Sequence, residues 1–430
     1  MTTRLYWFRS DLRLHDQPAL HTAISGAEHL LPVYCHDPRD SAPNPWGFVR
    51  TGPHRRRFLA ATLADLRSQL QGRGSTLVEL HGRPAEVLPL LTATIGAHEI
   101  HCEHVEQAEA VRDVQALRDA GLVVKTRWIS SLLDPDRLPF PPSGMPRHFT
   151  PFRQSIERAG VADPAPLAAP DCLPPLPPLP AVIPGSVPEL MVTDDRWTGE
   201  PRSSFPYQLP EYAGGETAGL AHLQRYFSGP WPAHYQRTRN QVSGQASSTK
   251  LSPWLALGAL SPRAVLQALR GFEEREGAGE GSYAIWFELL WRDFFHLLPL
   301  RAPGASHGEP DVPGLTQEQG AAFERWCTGQ TGVPFVDAAM RELVLTGFLS
   351  NRMRQVVASY LVNELALPQQ AGAAWFASQL VDFDPYSNDG NWSYIAGTGA
   401  DPRGGRHFNI DKQAREHDAD GQYRMLWRAL

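Results

Sequence analysis

The feature that most constrains the fold is a change of rhythm: short apolar strands alternate with helical patterns through the first third of the chain, and strand patterns vanish after Glu216. Arg4 to Phe8, Leu30 to Cys35, Thr76 to Leu80, Glu99 to Cys102 and Val123 to Trp128 read as strands. His54 to Gln71, Pro84 to Ile95 and Gln107 to Ala120 read as the helices between them. This alternation predicts an α/β N-terminal domain with a Rossmann-like parallel sheet covered on both faces. No GxGxxG follows the first strand; Arg9 to Asp16 stand there instead, so a dinucleotide fingerprint is absent.

From Asp134 to about Pro210 proline dominates, as in Pro174 to Pro180, and the segment is expected to be an extended connector. The expected organisation is an α/β domain over 1–133, a linker over 134–210 and an all-α C-terminal domain over 211–430. Ser252-Pro253 and Ser261-Pro262 each place an N-cap serine before a proline at the first helical position.

A formal charge of −6 and a pI near 6.2 exclude a chain that coats nucleic acid by overall charge. A local basic groove is still open, with Arg237, Arg239, Arg352, Arg354, Arg403 and Arg406 as candidates. Cys35, Cys102, Cys172 and Cys327 show no metal-ligand spacing, so no metal is expected and the reading is a reduced, cytoplasmic protein. There is no signal-peptide pattern and no membrane-length apolar run. Twelve Trp, eleven Tyr and eighteen Phe suit a flat aromatic ligand, and also ordinary helix packing.

Three segments carry chemistry. In the stretch Thr346 to Gln355, Asn351, Arg352 and Arg354 open an apolar helical run, and a buried guanidinium needs a partner such as Asp382 or Asp384. Either a structural salt bridge or a polar ligand site satisfies that need. Ser247 to Pro253 offers hydroxyls, amides and the Lys250 ammonium ahead of a helix, which describes a pyrophosphate cradle or a capped helix behind a polar loop. On Trp286 to Phe295, Glu288 and Arg292 sit at i and i+4, so they either pair or line a cavity beside Trp291.

Together with Trp7 to Arg13 and Thr331 to Pro334, these segments closely resemble the photolyase/cryptochrome family over nearly the whole chain. Phe149 to Arg153, Gly347 to Arg352, Gly390 to Tyr394 and Phe408 to Ala414 resemble its cryptochrome DASH branch. The resemblance implies FAD in the helical domain. Tyr235 and Ser248, Thr249, Lys250, Leu251 and Ser252 would hold its phosphates. Arg292, Phe348, Asn351, Arg354, Asp382, Asp384 and Asn388 would complete the site, with Asn388 facing the flavin N5.

The implied reaction is blue-light-driven splitting of cyclobutane pyrimidine dimers by electron transfer from reduced FAD, with Glu288, Asn351, Asn388 and Trp392 as its catalytic set. Glu288, Trp291, Asn351, Gln355 and Tyr394 would line the lesion pocket. The DASH branch implies a preference for single-stranded DNA, where no pairing energy opposes extrusion of the lesion. The histidine pair used for (6-4) photoproducts has no match, because Asn351 and Gln355 occupy those positions.

Glu109 matches a glutamate that contacts a 5,10-methenyltetrahydrofolate antenna, and is equally a solvated helix residue. Two features depart from the family pattern. Trp392 matches the flavin-proximal member of the tryptophan relay, but Gln369 stands where the middle one is expected and no Trp appears near Thr316. Flavin photoreduction is therefore expected to be weak, or to run through Tyr360, Trp375 or Tyr394. Asp389 also replaces the Trp or Asn usual beside Asn388. The chain is expected to be a monomer, and its end at Leu430, with no extended tail, favours repair over the rival reading of a blue-light receptor that does not repair.

Overall fold

The computed structural model describes residues 2–161, 165–186, 199–302, 314–399 and 404–428. Five parallel strands, β1 (Thr3–Phe8), β2 (His29–His36), β3 (Val78–His81), β4 (Glu99–Glu103) and β5 (Val123–Arg127), form one sheet in the order β3-β2-β1-β4-β5. Leu5 lies opposite Leu31 on one side and Ile100 on the other. Leu5 to Phe8 are buried without alternation, as expected of a strand covered on both faces. Helices Pro18–Ile24, Pro53–Gln71, Pro84–Ile95 and Ala108–Asp119 provide that cover, and the first of them has no counterpart in the sequence reading.

The Pro53–Gln71 helix joins the sheet to the rest of the chain. Phe58, Thr62, Leu66 and Leu70 recur at helical spacing and are buried. Phe58 meets Phe205, Tyr207 and Trp254 edge-on, so one core runs from the sheet into the helical region. Each such side chain contributes roughly 1.5–3 kcal/mol when fully buried.

The loop after β1 shows what replaces the missing glycine fingerprint. Leu12 N donates to Leu257 O at 3.1 Å and Arg13 Nη1 to Gly258 O at 2.9 Å, while the Glu216 carboxylate accepts from Leu14 N and His15 N. Gly258 has φ +64°, and a Cβ there would sit 2.0 Å from Ser10 O. The loop is a plug in the helical region, with no room for a pyrophosphate.

The expectation of an extended connector from Asp134 is corrected. Residues Phe149–Ala159 form a helix whose Phe149, Phe152 and Ile156 are buried, at i, i+3 and i+7. Proline flanks this helix but enters it only at Pro151, in its first turn, where no amide donor is lost. Phe149 stacks on Trp291, centroids 3.7 Å apart.

From Glu216 onwards the described residues contain helices and no strands. Central among them are Glu280–Leu297, Pro334–Thr346, Asn351–Ser359 and Pro385–Ala396. The run at Val356 is buried as expected, and the helix widens into a π turn over Tyr360–Glu364. Ser261 caps its helix by accepting from Arg263 N. Ser252 does not cap: it lies inside a five-residue helix, Ser252–Ala256, whose N-cap is Leu251. Its hydroxyl is taken by Asp382 instead, 2.6 Å away.

Candidate functional site

Between the Glu280–Leu297 helix and the segment around Asp382 lies a cleft with a cavity volume of about 220 Å³. Its apolar wall is Leu255, Ala256, Val265, Ile285 and Leu289. Its polar wall includes Thr249, Ser252, Arg354, Asp382, Asp384 and Ser387. The sequence pointed to much of the polar wall and, of the apolar side chains, only to Leu251, because apolar side chains in helices look the same whether they face a core or a cleft.

Of the two carboxylates the sequence offered to Arg354, it takes Asp382. Its Nη2 donates to both oxygens of Asp382, at 2.9 and 2.8 Å, and its Nε donates to Leu349 O. Phe348 lies beneath it and beneath Lys250, 5.6 and 5.0 Å from ring centroid to cation, so this buried ring seats the cations rather than opening on the cleft. Asp384 is held separately. It caps the Pro385–Ala396 helix by accepting from Ser387 N at 2.7 Å, accepts from His296 Nε2 at 2.7 Å, and lies 3.8 Å from Arg292. Burial pushes the Asp384 carboxyl up, but His296, Arg292 and the Ser387 amide outweigh it and hold the group below the usual carboxylate range.

His296 was missed. Glu288, Arg292 and His296 form a polar row at i, i+4 and i+8 on a helix that is otherwise largely apolar, and that spacing was the available signal. Glu288 and Arg292 do not pair with each other, which corrects the simpler of the two readings. Glu288 is bonded by Arg239, whereas Arg292 donates to Ser130 O and Leu255 O. Burial raises the Glu288 pKa, and Arg239 opposes the shift.

The serine-rich cradle is rearranged. Thr249, Leu251 and Ser252 line the cleft with Tyr235. Lys250, at φ +55°, turns its ammonium inward to Ser247 Oγ at 3.0 Å and is 3 % exposed. Burial lowers its pKa to about 8, and Arg354 lowers it further while Glu342 and Asp382 oppose. Ser248 is half-buried and does not line the cleft. A five-residue helix also has little dipole to offer an anion.

The cleft thus sets hydroxyls, carboxylates and guanidinium groups opposite an apolar wall. Known proteins resemble the chain over nearly its whole length. The family model for the FAD binding domain of DNA photolyase matches residues 285–428, and that for DNA photolyase matches residues 4–171. Cryptochrome DASH of Gloeobacter violaceus is 42% identical over 450 residues, covering 99% of this chain and 85% of the relative. A Synechocystis sp. cryptochrome structure superposes with a TM-score of 0.90 at 40% identity, over 99% of this chain and 88% of that one. A class III photolyase from Agrobacterium tumefaciens gives 0.82 at 31%, over 99% and 86%.

The chain belongs to the photolyase/cryptochrome family, in its cryptochrome DASH branch. The helical region is therefore its FAD-binding domain, and the Pro53–Gln71 helix joins it to the sheet.

One turn from Glu288 on the same helix, Trp291 stacks on Phe149 and meets Tyr394 edge-on at 5.9 Å. Arg406 lies over the Tyr394 ring and donates to its hydroxyl at 2.6 Å. Asn351 is exposed and Gln355 half-buried, one turn apart on the Asn351–Ser359 helix. Arg352, between them, donates to Asn240 Oδ1 at 3.0 Å, which ties this rim to the Arg239 that holds Glu288. Of the other basic candidates, Arg237 bonds His234 and Arg403 lies outside the described residues. Asn388 donates to Ala373 O at 3.2 Å and does not line the cleft; Asp389 beside it is exposed.

Trp392 is buried, and a Cβ on Gly372 would sit 2.2 Å from its ring. Its ring neighbours among the described residues are Phe376 at 5.1 Å and Trp326 at 6.3 Å. Trp326 was not singled out from the sequence; it lies in the last turn of the helix capped by Thr316, stacked against Phe323. Gln369 bonds Thr398 and Trp375 packs on Phe48.

Away from the cleft, both oxygens of Glu109 accept from Arg50 Nη1 at 2.8 Å, so this carboxylate already has a cation. Among the described residues no cluster of His, Cys, Asp or Glu suits a metal, and no helix is long and apolar enough to cross a membrane. The four cysteines are free thiols, three of them buried.

Proposed function

We propose that this DASH-branch protein is a light-driven lyase for cyclobutane pyrimidine dimers, preferring single-stranded DNA, with FAD in the cleft between Glu288 and Asp382. Arg354, Asp382 and Asp384 would frame the ribose and isoalloxazine, with Arg292 beside Asp384 and Phe348 acting from beneath by seating Arg354. Tyr235, Thr249, Leu251 and Ser252 would meet the phosphates through hydroxyls and amides, the Lys250 ammonium being turned away. The chemistry FAD would supply there is light-driven one-electron donation to the dimer, with return of the electron after the ring splits.

The observation that carries the reading is the placement of Glu288: a half-buried acid on the cleft wall, one helical turn from Trp291, whose ring is stacked on Phe149. One Glu288 oxygen is taken by Arg239; the other is available to an extruded base. Its free oxygen can accept from a base amide or imide. Trp291 and Tyr394 give stacking surfaces, which need no particular sequence and are worth about 1–3 kcal/mol per base. Asn351 and Gln355 close the rim with amides. Single strands fit because extrusion there breaks no base pair.

Trp392 is the proposed entry point for electrons, fed through its ring neighbour Trp326, with Tyr360, Trp375 or Tyr394 as secondary routes in place of Gln369. Glu109 is the proposed folate contact, in which the pterin shares the carboxylate with Arg50. Free thiols support a reducing, cytoplasmic setting.

The test is to expose a dimer-containing single strand to the reduced, FAD-loaded protein under blue light and in darkness. Light-dependent loss of dimers is expected; equal dimer counts in both arms would leave the receptor reading, which the cryptochrome name of the relatives favours.

A further inference from the structure

The polar wall of the cleft is an irregular segment, Val381 to Asp384, running into the Pro385–Ala396 helix. Asp382 and Asp384 are gripped by the helical domain, but the backbone between them is not. Its Phe383 carbonyl accepts from Arg55 Nη1 at 2.8 Å, and Arg55 belongs to the Pro53–Gln71 helix beside the sheet. The Arg55 guanidinium also lies 5.1 Å from the Phe383 ring centroid.

Three further contacts come from the same side. Tyr386 OH accepts from Glu106 N at 2.9 Å, just beyond β4, and the Tyr386 ring packs 4.6 Å from His296, the residue that holds Asp384. A Cβ on Gly52 would sit 1.8 Å from Ser378 O. His54 Nε2 bonds Val344 O at 2.9 Å. The α/β domain thus clasps the segment at its middle and at the start of the following helix.

We propose that Arg55 is a positioning residue of the flavin site, and that FAD binding and docking of the α/β domain onto residues 382–387 are thermodynamically coupled. This rests on the reading that the cleft takes FAD. Removing Arg55 leaves a backbone acceptor unpaired between the two carboxylates and cuts the tie of that segment to the α/β domain. By linkage, whatever docking adds to FAD affinity, bound FAD returns to docking. Arg55 does not line the cleft, so its effect travels through Phe383, by the carbonyl and the ring, and through its charge beside Asp382 and Asp384.

The experiment measures FAD dissociation constants by fluorescence titration, and amide exchange over residues 53–58 and 104–107 with and without FAD. It uses the full chain, Arg55→Met, Arg55→Lys and the control Gln115→Ala, which removes an exposed bond to Asp119 within the Ala108–Asp119 helix. Arg55→Met is expected to weaken FAD binding about tenfold, within the usual range of coupling between sites. Arg55→Lys, which keeps a donor for Phe383 O, recovers part of it, and Gln115→Ala binds as the parent does. FAD slows exchange in both windows of the parent. Parental affinity in Arg55→Met, or exchange in both windows indifferent to FAD, overturns the proposal. Should Arg55→Met not fold, Arg55→Lys and the exchange readout decide. A parent chain that binds no FAD at all refutes the underlying reading instead.

Discussion

Arg354→Met isolates the ion pair at the centre of the cleft. The Asp382 side chain is 2 % exposed and receives two charge-assisted bonds from Arg354, which is itself 24 % exposed. Breaking a fully buried pair costs about 3–5 kcal/mol, most of it the penalty of an uncompensated charge. Here the Ser252 hydroxyl, 2.6 Å from Asp382, remains as a donor and water reaches the arginine side, so the expected loss is about 3 kcal/mol. Urea unfolding of the flavin-free protein at pH 7, followed by tryptophan fluorescence, measures it. Asp382→Asn and the double variant complete a cycle with an expected coupling of about 2 kcal/mol. The reasoning is refuted if Arg354→Met lies within about 0.5 kcal/mol of the parent, or if Asp382→Asn costs the same with and without Arg354.

Other predictions concern the same walls. Glu288→Ala should abolish dimer splitting while FAD stays bound, read from product counts and flavin absorbance; loss of FAD instead would remove the role given to Glu288. Stability should pass through a minimum near pH 8. Burial raises Glu342 to about 8 against Tyr423, Lys250 and Arg354, so below that pH the native state holds a proton that the unfolded chain has lost, and stability falls as pH rises from about 4.5. Lys250 is lowered to about 8, so above it the unfolded chain holds the extra proton and stability rises towards 10.5. Glu342→Gln should flatten the falling limb and Lys250→Met the rising one, each by up to about 1.4 kcal/mol per pH unit in urea titrations. For Asp384, whose folded pKa is depressed, stability is present above the unfolded value and lost in acid, so Asp384→Asn should flatten the limb below about pH 4. Finally, Trp326→Phe should slow flavin photoreduction more than Phe at Tyr360, Trp375 or Tyr394, because Trp326 is the tryptophan in contact with Trp392; transient absorption with unchanged decay would exclude it.

How far the site was legible follows from the range of each interaction. Arg354 with Asp382 could be anticipated because a charge inside an apolar run must find a counter-charge, but Asp384 was an equal candidate on that rule. The choice came from His296 and Arg292, which lie on another helix. The same distance effect undid the Glu288 and Arg292 pair: i, i+4 spacing made it available, and Arg239 and Ser130 O, remote in sequence, supplied closer partners. Lys250 in the cradle failed for a different reason, since the direction of a side chain at positive φ depends on what the surrounding core leaves open.

What the sequence determined by itself is what local chemistry determines. The period of apolar residues set strands against helices, the absence of a glycine fingerprint removed a nucleotide site after β1, and ordered motifs identified the family. The tertiary structure alone decided which charges face one another, that the Phe149–Ala159 segment folds into the body, and that Arg55 reaches across to the Phe383 carbonyl. These depend on distances between residues up to 328 positions apart, and such distances exist only once the sheet and the helices have packed on a common core.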